Sequence, residues 1–134
     1  MPRQIKLTET DKITINLGFV ALGRIDLLVE EGFYTNRTDF IRTAIRAQIS
    51  AHAAEVGQLI ERRTLDVGLR DFHRSDLEAA RAAGEVLHIK VVGLARLASD
   101  ITPDLARATI GSINVLGALQ ASPEVKAALG DRIT

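Results

Sequence analysis

At 134 residues, 46% of them hydrophobic, the chain suffices for one ordinary domain or two small ones with a packed core. It has no Cys, which excludes disulfides, thiolate metal sites and a cysteine nucleophile and suits a reducing cytoplasm. Seventeen Lys plus Arg balance seventeen Asp plus Glu, with nine basic against eight acidic residues up to position 63, so any nucleic-acid contact must come from a few well-placed cations rather than bulk charge.

Met1, Pro2, Arg3, Gln4, Ile5 and Lys6 lack the apolar core of a signal peptide, and no run approaches the roughly 18 apolar residues of a membrane span. The expectation is a soluble cytoplasmic protein with no membrane contact. Residues 1–10 are polar and aperiodic and predict a flexible basic arm carrying Arg3 and Lys6.

Lys12, Ile13, Thr14, Ile15, Asn16 and Leu17 alternate polar and apolar, the period of a strand with one buried face, and Gly18 ends it. Ile13, Ile15 and Leu17 would face inward. From about Val20 to Glu31, Leu22, Ile25, Leu28 and Val29 fall at helical spacing opposite Arg24, Asp26, Glu30 and Glu31, with Gly32 suited to a left-handed cap. Tyr34 and Thr35 form a turn. Asn36 is a good N-cap for a second helix, and Asp39 in its first turn favours the positive helix end. Phe40, Ile41, Ala44, Ile45, Ile49, Ala53, Val56 and Ile60 keep the helical period, so this helix is predicted to run to about Arg62.

Beyond residue 63 the chain carries a degenerate internal repeat. Strand-like runs at 65–69, 89–93 and 113–117, the last two 24 residues apart, precede short helices beginning near Ser75, Thr102–Pro103 and Ser122–Pro123. Gly84, Gly111 and Gly130 follow those helices. Strand, capped helix and glycine repeated in this way describe either a small β/α solenoid with parallel strands or another α+β arrangement.

The lone first strand needs a partner, and no hairpin mate lies within the next fifteen residues, so the missing strand is predicted to come from another copy. An antiparallel two-stranded ribbon about a two-fold axis would project Lys12, Thr14 and Asn16 from its free face and would fit a major groove. Their chemistry suits base edges: Lys donates to guanine, Asn pairs with adenine, and Thr bonds or touches a thymine methyl. Alternatively these residues are only the solvated face of an edge strand.

The run from Lys12 to Leu17, the segment Ile25, Asp26, Leu27, Leu28, Val29, Glu30, Glu31, Gly32, Phe33 and the segment from Asn36 to Arg46 together resemble, in order and spacing, the CopG-like ribbon-helix-helix repressors over about residues 10–50. The resemblance implies an intertwined homodimer, base readout by Lys12, Thr14 and Asn16, and a phosphate clamp at Asn36, Arg37 and Thr38, to which Arg3 and Lys6 of the arm would add. The dimer core would comprise Ile13, Ile15, Leu17, Ile25, Leu28, Phe40, Ile41, Ala44 and Ile45. Such a clamp is also physically reasonable, because free N–H groups and the positive helix end attract phosphate. Gly18 and Phe19 depart from the proline that often opens the first helix in that family.

The sequence therefore predicts an arm over 1–10, a ribbon-helix-helix over 11–62 and a β/α repeat domain over 63–134. The function expected is that of a bacterial-type regulator, most simply a repressor, that binds double-stranded DNA as a homodimer. Residues 63–134 would assemble dimers into a higher oligomer or bind a protein partner or effector. An antitoxin-like interaction module and a self-assembling structural protein are the rival readings. Arg42 and Arg46, spaced i to i+4 on the second helix, would either touch phosphate or pair with Asp39 and neighbouring acids, and pairing is the favoured reading. His52, His73 and His88 form no ligand cluster, the glycines form no phosphate loop, and no nucleophile, base and oxyanion site coincide. Neither enzyme, metal site nor cofactor is expected.

Overall fold

The computed structural model describes residues 10–134, so Arg3 and Lys6 lie outside the described residues. The architecture is α+β, in two compact units, Thr10–Leu59 and Ile60–Thr134.

In the first unit, residues 12–17 form no strand in the single chain, where the sequence predicts one that is completed by a second copy. The reason is physical: a single strand has nowhere to place its ladder hydrogen bonds without a partner. Helix α1, Phe19–Glu30, begins one residue earlier than predicted and buries Ile25. It ends as expected of Gly32, which sits at φ 85. The Phe33 N–H donates to the Leu28 carbonyl at 2.9 Å and the Gly32 N–H to the Val29 carbonyl at 3.1 Å, satisfying two of the carbonyls a helix end leaves free. The second predicted helix is two helices, α2 at Arg37–Ala51 and α3 at Ala53–Arg63. His52 interrupts them at φ −104, ψ 17, where its N–H bonds the Ile49 carbonyl at 3.1 Å in a tightened turn before the Val56 N–H bonds the His52 carbonyl and restarts the helix.

The second unit begins within the last turn of α3. Thr64 takes a left-handed φ of 54, and the Leu65 N–H closes on the Ile60 carbonyl at 2.9 Å, the same closing bond that follows α1. Three parallel strands follow, β1 (Asp66–Phe72), β2 (Leu87–Leu97) and β3 (Ile110–Gln120), ordered β1-β2-β3. Between and after them run α4 (Arg74–Ala83), α5 (Pro103–Thr109) and α6 (Pro123–Leu129), then a short 3-10 turn at Gly130–Arg132.

Local chemistry explains most boundaries. Thr102 and Ser122 cap α5 and α6 by accepting from the N–H groups of Leu105 and Val125, with Pro103 and Pro123 opening the helices. The N-cap of α4 is His73, not Ser75, because the Asp76 carboxylate reaches back to accept from the His73 N–H at 2.8 Å. Gly84 ends α4 in the left-handed conformation as expected. Gly111 does not end a helix: it lies in β3 at a register shift, where an added Cβ would meet a Val86 methyl at 2.6 Å.

The strands run longer than the sequence predicts because their central glycines do not end them. Gly68, Gly93 and Gly117 pair in one transverse row at φ 113, 138 and 121. A Cβ on Gly93 would sit 2.3 Å from the Gly68 carbonyl oxygen, and one on Gly117 would sit 2.1 Å from the Gly93 oxygen. Each backbone thus occupies the space a side chain would take. Leu77 of α4, Leu105 of α5, and Val125 and Leu129 of α6 pack on Ile89, Val91, Ala95 and Ile113 to form the core. Buried Thr109 satisfies its hydroxyl on the Leu105 carbonyl at 2.8 Å.

Candidate nucleic-acid interface

Residues 12–17 alternate a polar and an apolar set, both of them exposed. The polar set is Lys12, Thr14 and Asn16. In the apolar set Ile13 is 74%, Ile15 57% and Leu17 39% accessible, so the chain itself does not cover the residues predicted to face inward. Three branched aliphatics left in water constitute a patch whose burial waits on another surface. Elsewhere in the predicted dimer core, Ile25 is buried, Leu28, Phe40 and Ile41 are half-buried, and Ala44 and Ile45 are exposed.

At the start of α2, Asn36 caps the helix as predicted, its Oδ1 accepting from the Asp39 N–H at 2.8 Å. Asp39 accepts in turn from the Thr35 N–H at 2.9 Å. Helix geometry leaves the N–H groups of Arg37 and Thr38 without an intrahelical acceptor, an anion-attracting end. Tyr34 packs edge-on against Phe40, ring centroids 5.0 Å apart, and braces the turn that delivers this end.

Arg37, an exposed side chain, has an intramolecular partner. Its Nε and Nη2 both donate at 2.8 Å to the two carboxylate oxygens of Asp26 on α1, a two-pronged ion pair joining the helices. These hydrogen bonds hold the Asp26 carboxyl below its ordinary value of 3.8 and push Arg37 up. Sequence reasoning missed this partnership because residues eleven apart on different helices leave no local spacing signal.

Arg42 and Arg46 also depart from expectation, for neither pairs with an acid. Arg46 reaches the Thr43 hydroxyl at 3.4 Å, and Arg42 has no hydrogen bond or ion pair among the described residues. The Asp39 carboxylate is already taken by the Thr35 N–H. Instead Asn36, Thr38, Asp39, Arg42 and Arg46 line one shallow hollow beside the helix start. The structure thus gathers two of the three predicted clamp residues with the two arginines for which phosphate contact was the less favoured of two readings. Their i, i+4 spacing from Thr38 to Arg42 to Arg46 was the available signal.

No group of His, Asp and Glu capable of holding a metal occurs among the described residues. No helix among them is long and apolar enough to cross a membrane. Comparison with curated proteins and with solved structures found no match. The model of the ribbon-helix-helix transcriptional regulator family, however, matches residues 8–126, spanning both the segment with the two exposed sets and most of the parallel sheet unit. By that match the chain belongs to the ribbon-helix-helix transcriptional regulator family and is, at the level of that family, a DNA-binding regulator.

Proposed function

We propose that the protein is a sequence-specific regulator that reads the major groove through a ribbon made by residues 12–17 of two copies. The observation that carries this is the alternation on that segment: an uncovered apolar set, which a two-fold partner would bury, and an exposed Lys12, Thr14 and Asn16 set with base-reading chemistry. The hollow at Asn36, Thr38, Arg42 and Arg46 would take a flanking phosphate, a contact that positions the ribbon without specifying sequence. Arg3 and Lys6 would add contacts from the arm. Binding a promoter in this way most simply represses it, and residues 63–134 would serve to assemble dimers.

An antitoxin-like tail that folds only on its partner is disfavoured by the packed core of the Ile60–Thr134 unit. The test is fluorescence anisotropy on genomic-fragment duplexes and random duplex across a salt series. Wild type should select particular fragments, and the triple substitution Lys12→Ala, Thr14→Ala, Asn16→Ala should retain only weak, salt-sensitive binding. Equal selectivity in both proteins would remove the ribbon as reader.

A further inference from the structure

The sheet of the second unit has two edges that match each other. Among the described residues β1 pairs with β2 alone, and β3 pairs with β2 and, at Ile113, with Ile133. At that bridge the Thr134 N–H donates to the Ile113 carbonyl at 2.9 Å. On the side of β3 away from β2, residues 115–119 have no strand partner among the described residues. In the sheet's own register Asp66 aligns with Val91 and Val91 with Val115. A fourth strand continuing that register with the sequence of β1 would therefore begin at Val115.

The backbone shapes agree. The carbonyl of Gly68 fills the side-chain space missing at Gly93, and that of Gly93 fills the space missing at Gly117. At the two edges the same device is left half-used. Gly68 holds φ 113 with nothing within 4 Å of where its Cβ would be, and the Gly117 carbonyl belongs to the outermost strand. On one sheet face Val67, Leu69 and Leu116 are exposed and would continue the cross-strand row in which Val67 already stands beside Val92 and Val92 beside Leu116.

We infer that β3 of one copy accepts β1 of a second copy as a parallel fourth strand, with Gly117 beside Gly68, so that copies join head to tail. This deepens the assembly role given above to residues 63–134 and names its surface. The contact is heterologous, since each copy offers a different edge, and it repeats from copy to copy rather than closing at two. Long unpaired edges promote this kind of addition.

The chain's lack of Cys gives a clean test in the full-length protein. Val67 and Leu116 are two strands apart in one copy, roughly 10 Å, beyond the reach of about 7 Å for a disulfide, but adjacent across the inferred contact. With Val67→Cys and Leu116→Cys together, mild oxidation without DNA should give a ladder of dimers, trimers and longer products on a non-reducing gel. Either substitution alone should give no product beyond a dimer. Leu69→Cys with Leu116→Cys, two residues out of register, should cross-link at least tenfold more slowly. Adding Gly68→Ala, whose methyl has open space within the chain but would meet the neighbour's Gly117 carbonyl, should abolish the ladder while β2 amides stay protected from exchange. Absence of the ladder from the matched pair, equal cross-linking in the displaced pair, or dimers from the single substitutions at the rate of the matched pair would each overturn the contact. Loss of operator binding with the ladder intact would instead count against the ribbon.

Discussion

Gly93→Ala tests whether the glycine row is a packing device or an accident of composition. The φ of 138 at Gly93 lies where side chains are rarely found, a conformational cost of roughly 1–3 kcal/mol. Its new methyl would also lie 2.3 Å from the Gly68 oxygen, whereas real Cβ atoms essentially never come within 3.0 Å of such an atom. Restoring contact requires β1 to shift from β2, loosening about two ladder hydrogen bonds at roughly 1 kcal/mol each. Gly68→Ala shares the backbone cost at φ 113 but meets nothing within 4 Å, so the difference between the two isolates the collision at about 2 kcal/mol. Hydrogen exchange of the Ile89, Val91 and Leu94 amides, at concentrations where copies remain apart, should be up to roughly 30-fold faster in Gly93→Ala than in Gly68→Ala. Equal exchange would show that β1 yields freely and that the row does not hold the strands together.

Asp26→Asn should release Arg37 toward phosphate, raising non-specific duplex affinity at low salt and steepening the salt slope by about 0.9 for each phosphate gained per copy; an unchanged slope would mean Arg37 does not reach DNA. The Asp26 carboxyl should titrate below 3.8 by NMR and return toward it in Arg37→Ala. Because the folded value is lowered, the ion pair is fully present above the ordinary carboxylate value and is lost as pH falls through the lowered one. Thr64→Gly should stabilise the chain by about 1 kcal/mol in urea unfolding, since a β-branched residue now holds a left-handed φ of 54. Leu77→Ala, at a side chain with no exposure, should cost about 2–5 kcal/mol in the same assay.

The sequence carried the elements well where a residue type has one local meaning. Thr102 with Pro103, Ser122 with Pro123, and Gly32 and Gly84 mark helix ends in the structure as their chemistry requires. It carried them poorly where two meanings compete. Gly111 looks like a helix terminator but serves a strand, and Ser75 looks like a cap but yields to His73 because Asp76 bonds backward. The interface shows the same division. The alternation on residues 12–17 and the i, i+4 spacing that gathers Arg42 and Arg46 beside Asn36 are both legible along one chain segment, but the Asp26–Arg37 pair depends on how two helices cross, which no single-helix periodicity encodes.

In the second unit the main packing is between neighbours: β1 on β2, β2 on β3, α4 on α5 and α5 on α6. A module inserted between two others would therefore meet surfaces that its siblings already fit. Tandem duplication of the roughly 24 residues from one glycine of the row to the next would lengthen the sheet without requiring a new interface. Gene variants of different length could thus arise by copying alone, each keeping the same two terminal surfaces.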